Sequence, residues 1–268
     1  MAQPVVKAGR SGRPLLRGAS SLLPWLLPVL IILLWQFGAS LNLVSPRIFP
    51  SPLKVLTDAW NLIESGALFD HLIVSLRRAF VGLAIGGGIG FVLGILNGLF
   101  PLSYKLFDST IQMVRNIPHL ALLPLVIIWI GIGEEGKIFL VSLGVLFPIY
   151  VNTYHGLRSV HPGFLEVGRV YGLNHWQTIR HIVLPGALPS IFVGLRYALG
   201  IMWLTLIVAE TVNTTSGIGY LAMNAREFMK ADIIIFSVIL YALLGKLADL
   251  ITKWLEHALL PWERSLRR

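Results

Sequence analysis

The chain has 268 residues, of which 55% are hydrophobic and 13% are charged, and its mean hydropathy is +0.75. Soluble domains are about 45–50% apolar and about 25% charged, so this composition excludes an ordinary soluble domain. A net charge of +9, from 22 basic and 13 acidic residues, would suggest nucleic-acid binding in a soluble protein, but here the basic residues lie beside apolar runs, which favours a role in membrane topology. The absence of cysteine excludes disulfides, thiolate metal sites and cysteine catalysis.

Six apolar segments reach the ~20 residues that a membrane-spanning helix requires. We therefore predict an all-α, polytopic membrane protein with about six transmembrane helices, at residues 22–41, 73–100, 107–132, 137–157, 186–210 and 232–255. This pattern divides the chain into a tail with the first helix, a linker with a short amphipathic helix, a transmembrane core and a basic tail, at residues 1–45, 46–72, 73–257 and 258–268.

Basic residues predict which side of the membrane each connection faces, because lysine and arginine accumulate in cytoplasmic connections. If the N-terminus is inside, the inner connections hold twelve basic residues and the outer ones five: Lys7, Arg10, Arg13, Arg17, Lys105, Arg158, Arg169, Arg180, Lys253, Arg264, Arg267 and Arg268, against Arg47, Lys54, Lys137, Arg226 and Lys230. We therefore expect both termini and residues 158–185 on the cytoplasmic side. Gly38-Ala39-Ser40 also resembles a signal-peptidase site, and cleavage there would not change the orientation of the rest.

The second apolar segment carries a glycine at every fourth position. This spacing places the glycines along one ridge of a helix, so a neighbouring backbone can approach closely. The helix survives because a membrane forces the backbone to satisfy its own hydrogen bonds. The pattern predicts tight helix packing, with a sliding surface between two conformations as the alternative, at Gly82, Gly86, Gly90, Gly94 and Gly98.

The third segment is interrupted by the sequence Arg-Asn-Ile-Pro-His at residues 115–119. Proline kinks a helix, and broken helices at membrane depth tend to line cavities. Arg115 and Arg196 either line an anion pathway or extend to the headgroups, and Glu210 is either a gate residue or an interfacial acid. The candidate translocation residues are Arg115, Asn116, His119, Asn152, His155, Arg196, Trp203 and Glu210.

Residues 158–185 form a polar and basic connection in which local signals predict two short helices. Pro162 suits the first turn of one helix, Gly172 can adopt the left-handed conformation that closes it, and Asn174 begins a capping box with Gln177. We expect Pro185 to end the second helix. Helices this short are marginal alone, so their apolar stripes are expected to dock into a partner, the alternatives being a solvated hairpin or a helix on the lipid surface; the stripes are Phe164, Val167 and Tyr171, and Trp176, Ile179 and Val183.

The stretch EVGRVYGLNHWQTIRHIVLP, residues 166–185, resembles the cytoplasmic coupling loop of ABC importer permeases. That loop has the pattern Glu-Ala-Ala, three residues, Gly, nine residues, Ile-x-Leu-Pro, and every spacing is matched. Val167 and Gly168 stand in place of the two alanines. The resemblance assigns ATPase coupling to Glu166, Val167, Gly168, Gly172, Ile182, Leu184 and Pro185. Glu166 either pairs with a basic residue of the partner or caps its own helix. Residues 158–185 are called the coupling loop below.

The connection before the last segment, residues 211–232, is too short and mixed to span, and residues 218–228 are predicted to form a short amphipathic helix at the outer face. Two glycine-rich stretches do not predict nucleotide binding. Residues 131–138 lack the Ser/Thr and the preceding strand of a P-loop, and residues 217–222 lack a βαβ unit. No two of the seven histidines have the four-residue spacing of a helical metal pair. We therefore expect neither an enzyme nor a metal site.

From about residue 45 to residue 260 the chain resembles the nitrate, taurine and sulfonate branch of ABC importer permeases, and within it the aliphatic sulfonate permeases. The resemblance is carried by IQMVRNIPHLALLPLVIIWIGIGEEGKIF, LFPIYVNTYHGLR, LPGALPSIFVGLRYALGIMWLTLIVAET and SGIGYLAMNARE. It implies a homodimer of permeases in the lipid bilayer of the bacterial inner membrane, two cytoplasmic ABC ATPase subunits that bind ATP and magnesium, and a periplasmic substrate-binding protein. It implies no cofactor in this chain, no nucleic-acid partner, and inward transport of a sulfonate, taurine or nitrate. The alternative of another class is an ion-coupled secondary transporter or a channel, which would work without an ATPase.

Overall fold

The computed structural model describes residues 14–41, 45–212 and 214–262, and in these ranges it contains helices and turns but no β-strand. The all-α prediction is confirmed. The predicted tails at residues 1–13 and 263–268 lie outside the described residues. A 3₁₀ turn precedes α5 and a π-helical turn precedes α9, and the helices are α1 (Pro14–Ser40), α2 (Pro52–Glu64), α3 (Ala67–Leu99), α4 (Pro101–Arg115), α5 (Leu123–Trp129), α6 (Glu134–Arg158), α7 (Pro162–Val170), α8 (His175–Thr178), α9 (Leu184–Glu210), α10 (Ile218–Glu227) and α11 (Ala231–Leu259).

Four helical stretches of the described chain are long and apolar enough to cross a membrane: Ala67–Leu99, Glu134–Arg158, His175–Glu210 and Ala231–Leu259. A fifth span is present if Pro101–Arg115 and His119–Trp129 are counted together, although they meet at an angle of 79°. The first predicted segment, residues 22–41, falls on α1 (Pro14–Ser40), within which Leu26–Ser40 is apolar. All six predicted segments therefore fall on helices, and the break in the third lies where its proline was expected to interrupt it.

The glycine ridge of α3 is the surface on which α6 packs. A Cβ added to Gly86 would lie 1.9 Å from the carbonyl oxygen of Ser142, and one added to Gly90 would lie 2.3 Å from that of Leu146. Side chains cannot occupy such gaps, because the obstacle is the backbone of the neighbouring helix. The ridge therefore brings the α3 and α6 backbones into direct contact along their length.

On its other side α6 packs against α9, again through glycine. A Cβ on Gly194 of α9 would lie 2.6 Å from the Cβ of Asn152, and one on Gly156 of α6 would lie 2.9 Å from the carbonyl oxygen of Ala187. The helices α3, α6 and α9 thus form the packed centre of the chain. The buried core around this centre also takes in one residue each from α10 and α11, and its side chains include Ala79, Val141, Val145, Ile149, Ala198, Leu199, Met202, Trp203 and Leu206, with Ile218 of α10 and Tyr241 of α11.

The helix α2 lies between the end of α1 and the start of α11. Its N-cap is Ser51, whose hydroxyl accepts a hydrogen bond from the amide of Lys54 at 3.2 Å. The Lys54 ammonium pairs with Asp58 at 2.8 Å and lies 3.9 Å from Asp232 at the start of α11. The predicted amphipathic helix of the 46–72 linker corresponds to α2, which leaves Leu53, Leu56 and Trp60 exposed.

The expectation that Pro185 ends the second helix of the coupling loop is wrong. The chain stays helical from His175 to Glu210, passing through one widened π-helical turn at Ile179–Val183, in which the Leu184 amide bonds to the carbonyl of Ile179. Proline lacks an amide proton and normally clashes with the carbonyl four residues earlier. A local π turn changes that register and is a common way to accommodate such a disruption.

Candidate functional site

The first helix of the coupling loop, α7, starts at a proline and is capped by a histidine. Pro162 occupies the first turn, where its missing amide proton costs no hydrogen bond. Nδ1 of His161 accepts a hydrogen bond from the amide of Gly163 at 3.1 Å. The beginning of α7 is therefore satisfied by its own residues.

The end of α7 is a Schellman turn centred on a left-handed glycine. Gly172 has φ +74°; its amide donates to the carbonyl of Arg169, and the amide of Leu173 donates to the carbonyl of Gly168, both at 3.0 Å. This pair of bonds defines the motif and satisfies carbonyls that a helix end otherwise leaves unpaired. The sequence prediction for Gly172 is confirmed by this geometry.

The second helix begins with a complete capping box. The side-chain oxygen of Asn174 accepts from the amide of Gln177 at 2.8 Å, and the side-chain oxygen of Gln177 accepts from the amide of Asn174 at 2.9 Å. The predicted box is present. Together with the Schellman turn, it pairs the backbone groups at the junction of α7 and α8 within the loop itself.

Two parts of the sequence pattern meet in space where α7 packs on the π-helical turn. Gly168 is buried, and a Cβ added to it would lie 2.7 Å from Cδ1 of Ile182. The coupling-loop pattern therefore requires a small residue at position 168, because Ile182, the isoleucine near the end of the pattern, packs directly over it. Below this contact the loop joins the membrane helices through the buried side chains of Leu157, Val183 and Ala187.

The outward surface of the coupling loop is apolar. Its five large apolar side chains are all more than half exposed: Phe164 (63%), Val167 (52%), Val170 (86%), Tyr171 (81%) and Trp176 (69%). The stripe predicted at Phe164, Val167 and Tyr171 is therefore displayed. The second predicted stripe is only partly displayed, because Val183 is buried and Ile179 is half-buried.

Glu166 lies on α7 and is exposed. It forms neither a hydrogen bond nor an ion pair with any residue that the structure describes, and the cap of α7 is His161 instead. Of the two roles considered from the sequence, capping of its own helix is not what the structure shows. Glu166 is available to a partner.

The candidate translocation residues divide into an exposed group and a packed group. Arg115, Asn116 and His155 are exposed. His119 follows the break in the third span, and its Nε2 lies 2.9 Å from the hydroxyl of Thr205 on α9. Asn152 is half-buried and donates to the carbonyl oxygen of Pro148 at 2.9 Å within α6.

Arg196 is paired with two acidic side chains of the last helix. Its Nη2 lies 2.5 Å from Oε2 of Glu256, and its Nε lies 3.3 Å from Oδ1 of Asp249. Both acids are on α11, so Arg196 joins α9 to α11, with 37% of its side chain still exposed. This pairing could not be predicted from the sequence, since the acids follow Arg196 by more than fifty residues.

Trp203 and Glu210 are also packed inside the protein. The Trp203 ring is buried and meets the Tyr241 ring edge-on, with centroids 6.1 Å apart. Glu210 is 0% exposed, so the interpretation of an interfacial acid is wrong. Its position at the end of a span suggested exposure, but three other helices close over it.

The Glu210 carboxylate is the centre of a buried polar cluster. It accepts hydrogen bonds from the Ser75 hydroxyl at 2.8 Å, the Arg78 guanidinium at 2.7 Å, the Gly219 amide at 2.9 Å and the Tyr241 hydroxyl at 3.0 Å. The other side of the Arg78 fork pairs with Glu134 at 2.5 and 2.7 Å. Buried charges are tolerated when they are paired and hydrogen-bonded in this way.

This cluster was missed at the sequence level, although Arg78 was visible as a charge within an apolar segment. It ties α3, α6, α9, α10 and α11 together at the end of α9 opposite the coupling loop, about 40 Å away for a helix of this length. The glycines of the SGIGY stretch belong to it, because a Cβ on Gly217 or Gly219 would lie 2.5 Å from Glu210 atoms.

Comparison with known proteins adds an independent line of information. Residues 86–260 match the family described as binding-protein-dependent transport system inner membrane component. The chain is 54% identical over 239 residues to the putative aliphatic sulfonates transport permease protein SsuC of Escherichia coli (strain K12), covering 89% of this chain and 91% of that protein. It is 42% identical over 240 residues to the protein of the same name from Bacillus subtilis (strain 168), covering 90% of this chain and 87% of the relative.

Among solved structures, an amino acid ABC transporter with histidines is similar in fold. The TM-score is 0.61 at 17% identity, and the match covers 74% of this chain and 97% of that chain. At this identity the likeness concerns the fold alone.

Proposed function

Because this chain belongs to the family of binding-protein-dependent transport system inner membrane components, and is therefore a non-catalytic, multi-pass permease subunit of an ABC importer, we propose that it moves an aliphatic sulfonate into the cell. The observation that supports the substrate is the 54% identity over 89% of the chain to a permease named for aliphatic sulfonates. Taurine and nitrate are the competing substrates of the same branch.

The coupling loop is the proposed docking site for the ATPase that supplies the energy. It is capped at both helix starts and closed by a Schellman turn, so its shape is set before any partner binds. A preorganised loop that displays five large apolar side chains loses little conformational freedom on binding, which favours docking into a groove. In this role the exposed Glu166 pairs with a basic residue of the ATPase.

The proposed assembly is a homodimer of this chain with two cytoplasmic ATPase subunits, which bind ATP and magnesium, and a periplasmic substrate-binding protein. The coupling loop and both termini face the cytoplasm, as the distribution of lysine and arginine indicates. The cluster around Glu210 then lies at the periplasmic end. Motion of the docked ATPases reaches that end through α9, which is continuous with the coupling loop.

Transport by reconstituted protein tests this function. We would place the chain in liposomes with the proposed ATPase and binding-protein partners, supply ATP and magnesium on the ATPase side, and measure uptake of labelled alkanesulfonate, taurine and nitrate. We expect alkanesulfonate uptake that requires ATP, the ATPase and the binding protein. Preference for taurine or nitrate would correct the substrate, and uptake without the ATPase, driven by an ion gradient, would contradict the importer function.

A further inference from the structure

The helix α10 ends in a turn whose backbone is strained at one residue. The amide of Lys230 donates to the carbonyl of Ala225 at 2.8 Å, and the amide of Met229 donates to that of Arg226 at 3.1 Å. This is the Schellman pattern, and its left-handed position is usually a glycine. Here Met229 occupies it with φ +56°, and no other non-glycine residue of the described ranges has positive φ. A strained backbone at a methionine suggests that the side chain is retained for a purpose.

The turn displays its apolar side chains in charged surroundings. Met229 is 80% exposed and Phe228 is 65% exposed. Arg226, Glu227 and Lys230 are exposed beside them, and a surface within the hydrocarbon of a bilayer would exclude such a group of charges. The turn therefore faces the aqueous side of the membrane boundary.

A cationic cavity adjoins Met229. It has a volume of about 520 Å³ and is bounded by the end of α1, the start of α2 and the turn before α11. Its lining includes the basic side chains of Arg47, Lys54 and Lys230 and one acidic side chain, Asp232. Lys54 is paired with Asp58, and Lys230 lies close enough to interact electrostatically with the same carboxylate, whereas Arg47 forms no ion pair with a residue that the structure describes. The cavity can accept a negatively charged group.

We propose that Met229 and this cavity form the docking surface for the substrate-binding protein, which places an acidic side chain in the cavity and buries Met229 in an apolar contact. This inference rests on the proposed function, which supplies both the partner and the periplasmic orientation. Charge complementarity selects an acidic partner surface. Methionine suits such a contact because its unbranched, polarizable side chain adapts to the surface that it meets.

The helix that carries Met229, α10, is hydrogen-bonded to the buried polar cluster around Glu210. The first turn of α10 is fixed by the bond from the Gly219 amide to Glu210 at 2.9 Å and by that from the Ile218 amide to Ser75 at 2.9 Å. Glu210 is the last residue of α9, and the other end of that continuous helical stretch belongs to the coupling loop. A partner bound at Met229 is thus connected through one helix to the site where the ATPase docks.

The test uses the complete complex in liposomes and compares Met229→Gly with Met229→Leu. Glycine relieves the backbone strain, so a purely structural role predicts a higher unfolding temperature and unchanged binding. We expect the higher unfolding temperature together with about tenfold weaker binding of the binding protein, the scale of losing one contact in the centre of an interface. Met229→Leu keeps an apolar side chain and should bind within about twofold of the wild type. Unchanged binding in Met229→Gly would overturn the proposal.

Charge reversal tests the cavity. Lys230→Glu should weaken binding-protein-stimulated ATP hydrolysis and flatten its dependence on salt, whereas the control Lys105→Glu changes an exposed lysine of α4 and should leave stimulation intact. Equal effects of the two variants would overturn the cavity as a docking site. Loss of anionic phospholipid binding in Lys230→Glu with normal stimulation would also overturn it, in favour of a lipid headgroup. Failure of the proposed function is seen separately, as absence of ATP-driven uptake by the wild type.

Discussion

The coupling loop and the turn after α10 end their helices with the same pair of hydrogen bonds, but different residues occupy the left-handed position. At the coupling loop that residue is Gly172, with φ +74°, and at the other end of the molecule it is Met229, with φ +56°. Glycine adopts this conformation freely, whereas another L-residue loses about 1–2 kcal/mol. The turn of the coupling loop is thus free of backbone strain, and the side chains that it exposes belong to residues beside Gly172. In the turn after α10 the backbone is strained, and the left-handed residue, Met229, is itself the exposed side chain.

The two regions are also attached to the membrane helices by different forces. The coupling loop rests on the apolar side chains of Leu157, Val183 and Ala187. The helix α10 also buries the apolar side chains of Ile218, Leu221 and Ala225, but its first turn is in addition bonded to a buried ion pair, that of Arg78 and Glu210. Truncation of one apolar side chain removes only part of an apolar contact, whereas removal of one partner of a buried ion pair leaves an unpaired buried charge and strongly destabilises the fold. We therefore expect the two ends to respond differently to mutation.

Removal of the Arg78 side chain should have the largest effect. Arg78→Ala leaves the Glu210 carboxylate buried without its cation, and breaking such a pair costs about 3–5 kcal/mol. We expect a large fall in the unfolding temperature of the protein in nanodiscs. The matched control is Arg77→Ala, because Arg77 is the adjacent arginine of α3 and is exposed. Equal stability of the two variants would contradict the role given to the cluster.

Removal of an aromatic side chain from the coupling loop should affect binding but not folding. Trp176→Ala is expected to weaken ATPase affinity by about 2 kcal/mol or more, the range of an aromatic anchor in an interface, without a change in unfolding temperature. Trp129→Ala is the control, because both tryptophans are 69% exposed and Trp129 lies at the end of α5, outside the loop. Affinity measured by titration should fall in the first variant alone; a fall in both would show that the effect is not specific to the loop.

Substitution of the left-handed glycine should have a smaller effect. A Cβ on Gly172 meets no atom within 4 Å, so Gly172→Ala introduces only backbone strain, about 1–2 kcal/mol. Hydrogen–deuterium exchange should become faster in the coupling loop and unchanged elsewhere. Gly172→Asn should exchange more slowly than Gly172→Ala, because asparagine tolerates the left-handed conformation better. The reverse order would show that the turn is not held by its backbone preference.

The parts that could be predicted from the sequence are those set by neighbours along the chain. The left-handed helix end at Gly172 and the capping box at Asn174 depend on residues within a few positions of one another, and both were predicted. The glycine repeat of α3 likewise indicated a packing ridge, although not which helix would pack there. Local signals were wrong at Pro185, where a π turn carried the helix through.

The parts that could not be predicted depend on residues that are distant in the sequence. Arg78 and Glu210 are separated by 132 positions, and no periodicity connects them. The same applies to Arg196 and Glu256, which are separated by 60 positions. Both arginines could be identified as charges that need a partner in a membrane, but the identity of the partner depends on helix packing.

Site-specific crosslinking at the coupling loop tests most directly whether this loop docks on an ATPase. The sequence contains no cysteine, so Tyr171→Cys provides a unique thiol at a position that is 81% exposed. With a short thiol-to-amine crosslinker, we expect a product between this chain and the ATPase, and none when the single cysteine replaces Met229 instead. A Tyr171→Cys protein that supports transport but forms no product with the ATPase would show that the ATPase does not dock on the coupling loop.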